Sequence, residues 1–326
     1  MMSIRSLAGA CLSAFAALGA FAAPASAQTY PTRTITMIVP FAAGGPTDVI
    51  SRIVTAHMAQ TLGQSIVIEN VVGAGGTTAT TRAARAANDG YTLVTGHMGT
   101  HAASVPLYPK LAYHPEKDFE PVALLAGTPI LILARKDFPP KDLKEFVAYV
   151  KANAEKVNAA HAGIGSVSHA SCELLNSILD VKPVGVPFNG TGPAMNALVA
   201  GQVDYMCDQI VNAVPQINAG TIKAYAVATP ERNPSLPNVP TTAEAGLPAF
   251  QAQAWNAIFA PKGTSPAIIA TLNAAANKAL DDENVRKRLL DLGSVIPAPA
   301  NRSPEALATL VKSEIAKWTP VLKPAS

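Results

Sequence analysis

Charge is scarce in this chain: Asp, Glu, Lys and Arg supply 14% of 326 residues against 49% hydrophobic, and the formal net charge is only +3. The lysines and arginines form no basic run and do not interleave with aromatics, which excludes the footprint of a nucleic-acid binder. Cysteine is nearly absent, with three in all, so no disulfide framework or thiolate metal centre is written here. His97 and His101 stand four apart, but no acidic ligand motif accompanies them, and no metal or cofactor is expected. Beyond residue 27 no apolar run approaches the roughly 20 residues that cross a bilayer.

The first 27 residues have a different character. Arg5 supplies a positive start, Leu7 to Ala23 is almost wholly apolar or small, and Ala25-Ser26-Ala27 is an A-x-A processing site. Together these read as a cleaved secretory signal, leaving Gln28 first in an exported chain. Losing Arg5 lowers the net charge by one, from +3 to about +2. Lipid attachment at Cys11 fits poorly, because Leu7 lies one place too far away and the apolar run continues past the cysteine. Cys172 and Cys207 then remain. An oxidising compartment allows them to pair, and two small buried apolar residues are the alternative.

What is present alternates between two periodicities. Thr34–Val39 is a predicted strand and Pro46–Leu62 a helix with Val49, Ile50, Ile53, Val54 and Met58 along one face. Ser65–Glu69, a helix at Thr77–Ala87 and a strand at Thr92–Thr95 continue the series, and this order implies a parallel sheet covered on both faces. Phe119–Ala126 and Pro129–Ala134 break the pattern as two extended segments without a long helix between them. Alternation resumes with helices predicted at 142–153, 168–179, 192–200 and 214–219, and strands at 158–160, 184–186, 203–207 and 223–228. Ala254–Ala260 is extended again. Helices then follow at Pro266–Ala279, Glu283–Leu292 and Pro304–Trp318, with Ser265 and Ser303 as N-caps before first-turn prolines. The layout predicts a signal at 1–27, a first lobe from 28–126 and 253–326, and a second lobe from 127–252, hinged near 120–130 and 250–257.

Two glycine turns carry the functional signal. Ile35 to Val39 is an apolar strand that breaks at Pro40-Phe41-Ala42-Ala43-Gly44-Gly45 into a helix starting at Pro46-Thr47-Asp48. A helix start leaves N–H groups unpaired and carries partial positive charge, so it suits an anion. Ala162-Gly163-Ile164-Gly165-Ser166-Val167-Ser168-His169 is a second turn of the same kind. Two such turns in an exported chain point to two lobes closing on one small negative molecule.

An ordered set of motifs resembles the Bug/TctC family, the periplasmic solute receptors of tripartite tricarboxylate transporters. It runs from Tyr30-Pro31 and Val39–Asp48 through Glu69-Asn70 with Gly73–Gly76, Asp89-Gly90-Tyr91-Thr92-Leu93 and Asp118–Val122. Gly165-Ser166 with Ser168-His169, Val186–Ala194, Gly201-Gln202-Val203-Asp204, Pro237–Gly246 and Ala260–Thr264 complete it, in family order across essentially all of the mature chain. The resemblance implies an α/β, two-lobe periplasmic-binding-protein (Venus-flytrap) fold, each lobe a mostly parallel sheet flanked by helices. It implies a monomeric, non-enzymatic periplasmic receptor, without a cofactor, that hands a small organic acid to transporter membrane subunits. Family members hold a ligand carboxylate with backbone amides and ordered water from the two turns. The matching positions here are Ala43, Gly44, Gly45, Thr47 and Asp48 in the first lobe, and Gly163, Gly165, Ser166 and His169 in the second. Asp48 is expected to anchor its turn or bind through water.

Further candidates come from strand ends, where ligands of open α/β sheets sit. Thr95–His101 follows the third predicted strand, and Thr100 or His101 is expected to touch ligand ahead of His97, with capping as the alternative for each. Phe188 is either a ligand contact or ordinary core. Asp208 either bonds a ligand group or caps a helix. Trp255 is expected to pack at the hinge. Lysine and arginine are missing from these loops, which favours a mono- or dicarboxylate over a citrate-like trianion. Phe41, Met98 and Phe188 leave room for an aromatic acid. A sensor serving a signalling kinase would present the same features. Ser166, Ser168 and His169 raise a hydrolase reading, but their segment lacks the G-x-S-x-G elbow, and Ser168 replaces the last glycine of a dinucleotide fingerprint.

Overall fold

The computed structural model describes residues 30–322. The expected signal segment, Cys11 included, lies outside them. The chain begins with β1 (Ile35–Val39), α1 (Pro46–Leu62), β2 (Ile66–Asn70), α2 (Thr77–Ala84) and β3 (Thr92–His97). A π-helical turn at Gly99–Ala103 runs into α3 (Ser104–Leu107), and β4 (Phe119–Arg135) follows. Then come α4 (Leu143–Asn153), β5 (Asn158–His161), α5 (Val167–Leu179), β6 (Val184–Pro187), α6 (Thr191–Val199), β7 (Tyr205–Gln209), α7 (Ile210–Asn218) and β8 (Ile222–Val227). The chain closes with β9 (Gln253–Pro261), α8 (Pro266–Asp281), α9 (Glu283–Asp291) and α10 (Pro304–Trp318).

The strands form one curled path, β2-β1-β3-β9-β4-β7-β5-β6, with β8 also on β4. β1 pairs parallel with β2 and β3, and β5 pairs parallel with β6 and β7. The four pairings made by β4 and β9 are antiparallel. The expected parallel sheet thus describes the outer strands of each half, and the middle is antiparallel. The reason is connectivity. β4 is one continuous strand where the sequence suggests two segments: Phe119 to Pro129 pairs with β9, and Ile130 to Arg135 pairs with β7 and β8. β4 carries the chain out of the first half of the sheet, and β9 brings it back alongside.

Alternation along these strands feeds two cores. Ile35, Met37, Leu131 and Leu133 belong to one cluster with residues of α1, α6, α7, α8 and α9. Ile38, Val94, Ile130, Ile132 and Ala134 belong to the other, with residues of α2, α4, α5 and α10. Period-two patterning therefore covers both faces with helices. Local signals set several boundaries. Pro46 and Pro304 occupy first turns, and Ser265 and Ser303 accept N–H bonds from Ile268 and Ala306 as N-caps. No helix among the described residues is long and apolar enough to span a membrane.

Candidate functional site

The loop from β1 to α1 owes its shape to one acidic side chain. Gly44 takes φ +85°, a left-handed conformation that costs glycine nothing. Its N–H donates to Asp48 Oδ2 at 3.0 Å. Asp48 also accepts from Arg52 Nε at 2.9 and 3.0 Å and from Asn70 Nδ2 at 2.9 Å, while Asn70 Nδ2 reaches the Phe41 carbonyl at 2.9 Å. Burial pushes the Asp48 carboxyl up, but Arg52, the Gly44 N–H and Asn70 outweigh it and hold the group below its ordinary range. Asp48 therefore folds the turn, with a carboxylate fully engaged by protein groups.

The second-lobe turn uses hydroxyls for the same task. Ser166 caps α5 by accepting from the His169 N–H at 3.2 Å, and Ser168 Oγ accepts from the Ala162 N–H at 2.9 Å. His169 Nδ1 accepts from the Gly165 N–H at 3.4 Å. Among the described residues no imidazole nitrogen is paired with either serine, so the nucleophile–base geometry of a hydrolase is not assembled here.

The two turns meet. The Ala42 N–H donates to the Asn189 carbonyl at 3.0 Å. The Tyr108 hydroxyl lies 2.6 Å from the Ile164 carbonyl and 3.0 Å from the Ala74 carbonyl, so one proton straps the two halves together. Backbone approaches backbone elsewhere: a Cβ on Gly192 would stand 3.0 Å from the Ala43 carbonyl, and one on Gly163 would stand 3.0 Å from the Gly75 nitrogen.

Between the halves lies a small inner recess of about 20 Å³ lined by Phe41, Gly45, Pro46, Thr47, Asp48, His97, Ala162, Ser166, Val167, Ser168, Thr191 and Gln209. It shares Phe41 and Ala162 with an outer cleft of about 500 Å³, whose walls include Tyr108, His161, Gly163, Pro187, Phe188 and Asn189. Four helices begin at the inner recess. α1, α5 and α6 start among its lining residues, and α7 starts directly after Gln209. Their N-terminal partial charges converge on a space that no lysine or arginine lines. A polar chain ties two of its lining residues, Thr47 and Gln209, together. Thr47 Oγ1 donates to Asn256 Oδ1 at 3.1 Å, and Asn256 Nδ2 donates to Gln209 Oε1 at 3.1 Å. Thr128 Oγ1 also donates to Gln209 Oε1, at 2.7 Å. The Gln209 oxygen is thus committed to the protein, which leaves its NH₂ as the end available to a ligand.

Of the sequence candidates, Phe41, Gly45, Thr47, Asp48 and Ser166 line the inner recess, and Phe41, Gly163 and Phe188 the outer cleft. Ala43 and Gly44 abut Gly192 from the first turn, and Gly165 packs against Tyr108. His169 lies along a separate groove with Leu107 and Glu173. Thr100, His101 and Asp208 are fully buried and line neither compartment. The sequence after β3 suggests an open loop. Instead the segment is helical and packed inward, so His101 stacks on Phe259 with ring centroids 3.9 Å apart. Thr100 Oγ1 meets His101 Nδ1 at 3.0 Å. Asp208 accepts from the Gln209 N–H at 2.8 Å and from Asn212 Nδ2 at 2.6 Å, a helix-start role. Burial raises the Asp208 carboxyl to about 7 against those bonds. Trp255 is buried in β9 and directs Nε1 toward Glu314 at 3.4 Å.

Sequence reasoning ranks His97 low and passes over Thr191 and Gln209. The strand-end rule holds the missing signal, since His97 closes β3 and Gln209 closes β7. The sequence pattern ends β7 two residues early, which hides Gln209. Cys172 and Cys207 are both free and buried, with the Cys207 N–H 3.1 Å from Cys172 Sγ. No group of three His, Cys, Asp or Glu among the described residues is placed to hold a metal.

Residues 50–326 match the family described as tripartite tricarboxylate transporter family receptor. The chain is similar to MatC from Rhodopseudomonas palustris, solved with bound malate: 60% identity, 90% of this chain and 100% of that one, TM-score 0.88. It is similar to R. palustris Rpa4515, solved with adipate, at 32% identity over 90% and 97% of the two chains, with a TM-score of 0.85. Protein BugT of Bordetella pertussis is 34% identical over 310 residues, 95% of this chain and 94% of BugT.

Proposed function

This chain belongs to the tripartite tricarboxylate transporter receptor family, and from that premise we propose that it captures a small dicarboxylate between its lobes and delivers it to transporter membrane subunits. It is a binding receptor and not an enzyme. The observation that carries the ligand class is the convergence of four helix starts on a recess without a cationic side chain. Backbone N–H groups there suit one carboxylate and would not neutralise three. Gly45, Thr47 and Ser166 form the inner grip, with Ala43, Gly44 and Gly165 shaping it. Phe41, Gly163 and Phe188 border the outer cleft, where the second carboxylate and the carbon chain lie. MatC with malate and Rpa4515 with adipate support a four- to six-carbon diacid. Residues 28–126 with 253–326 and residues 127–252 act as the two lobes, closing about β4 and β9, and the receptor works as a periplasmic monomer.

A thermal-shift panel of malate, succinate, adipate, benzoate and citrate tests the reading. A diacid at about 100 times its Kd adds about 2.7 kcal/mol to the folded state, and malate or succinate is expected to give the largest rise in Tm. No shift with any acid at millimolar concentration defeats the proposal. A second consequence concerns Tyr108. Tyr108→Phe removes one bond between the closed halves, worth about 1 kcal/mol. Stopped-flow release of malate is expected to be about fivefold faster, with little change in capture rate. An unchanged release rate assigns the strap no part in holding the lobes shut.

A further inference from the structure

His97 is the last residue of β3 and is 1% exposed. Its Nδ1 accepts from the Gly99 N–H at 2.8 Å and the Thr100 N–H at 3.3 Å. An imidazole nitrogen that accepts carries no proton, so the neutral ring has its hydrogen on Nε2. Burial holds the ring in that neutral form, lowering its pKa to about 3. The ring plane is fixed as well, by stacking on Phe41 with centroids 5.1 Å apart and planes inclined by 25°.

The Nε2 edge faces away from the 99–100 turn. Among the described residues, five buried side chains have a polar atom without a partner, at His57 Nδ1, His97 Nε2, His101 Nε2, Ser171 Oγ and Ser294 Oγ. His97 alone of these lines the inner recess. His101 Nε2 sits instead on a ring stacked on Phe259 and tilted against Phe119. A buried N–H without an acceptor costs stability, and such groups are retained where an occupant completes them.

We propose that the His97 Nε2–H is a specificity-determining donor to the innermost carboxylate of the ligand. The inference rests on the receptor reading and deepens it. Backbone amides at the helix starts grip any carboxylate, whereas His97 adds one directional, uncharged donor from the first lobe, opposite the Gln209 amide from the second. The donor is neutral, so it recognises an acceptor without demanding a counter-charge. Acids with one short carboxylate-bearing end fit this arrangement, and amides of the same acids lose the charge-assisted bond.

His97→Asn tests it. The asparagine amide oxygen reaches about as far as Nδ1 and preserves the acceptor for the turn, while nothing replaces Nε2–H. Calorimetry with malate, succinate and adipate is expected to show binding about 10- to 100-fold weaker than wild type, with the circular dichroism of the ligand-free protein unchanged. In ¹⁵N-histidine-labelled wild type, the Nε2–H proton signal that His97→Asn removes is expected to move downfield on adding malate. His97→Gln, whose amide nitrogen reaches the Nε2 position, is expected to recover part of the affinity. If wild type binds none of the three acids, the receptor reading falls and this inference falls with it. If wild type binds but His97→Asn binds within about twofold, or the Nε2–H signal stays put, the inference alone is overturned.

Discussion

Replacing Gly75 by alanine is expected to weaken malate binding by roughly 100-fold or more, about 2.7 kcal/mol, without unfolding the protein. Gly75 sits at φ +61°, and a Cβ placed there would overlap the carbonyl oxygen of Ile164 across the cleft. That oxygen belongs to a backbone held by the Tyr108 hydroxyl, so it cannot swing aside as a side-chain tip could. The added methyl is tolerated only when the halves stand apart. Closed-state contacts are therefore lost while each lobe remains intact. Local strain needs its own control, because a left-handed alanine costs about 1 kcal/mol anywhere. Gly63 provides it: φ is +67°, and a methyl group there would have nothing within 4 Å. Gly63→Ala is expected to lose similar stability and keep wild-type affinity. Calorimetry for Kd and small-angle scattering for lobe closure decide the matter. A Gly75→Ala protein that still compacts on adding malate would refute the steric account.

The second large effect is a loss of stability in mild acid, with a contribution of opposite sign inside it. His97 and His161 have folded-state pKa values lowered to about 3 and about 4, and burial also drives His101 well below its ordinary value. The unfolded chain protonates these rings near pH 6.5 and the folded protein does not, so stability present above that pH is lost as pH falls. Going from about pH 7.5 to about pH 5.5 costs about 1.4 kcal/mol for each ring, about 4 in all. Asp208 acts the other way. Its folded pKa is raised to about 7 by burial, so the folded state takes up a proton over this interval and the unfolded state does not. That offsets about 2 kcal/mol. Burial lowers His169 as well, in the same direction, so urea titrations of the ligand-free protein are expected to show a net loss of at least about 2 kcal/mol between these pH values. Asp208→Asn removes the offset and is expected to deepen the loss by about 2 kcal/mol. Equal acid sensitivity in the two proteins would show that Asp208 is ionised in the fold at pH 5.5.

Legibility varies with how local the determining physics is. The span of α1 can be read from Pro46, its following apolar face and Gly63, and α10 from Ser303-Pro304, because caps and first-turn prolines act within a few residues. The turn role of Asp48 is readable for the same reason, four residues from the N–H it accepts. His101 misleads because Gly-Thr-His after a strand resembles an open binding loop. Its burial depends on Phe119 and Phe259, partners that no local window contains. The sequence divides β4 near Gly127 because glycine weakens strand signals. Only its neighbour β9, more than a hundred residues away, shows it to be continuous.

The chain by itself settled the family, the two-lobe plan and the two amide-rich turns, since these are written in short motifs whose backbone demands are local. Folding alone selected which side chains line the inner recess: His97 and Gln209 do, His101 and Asp208 do not. That choice is made by strand ends from both halves meeting across the cleft, and by which ring nitrogens and amide edges the packed protein has already used.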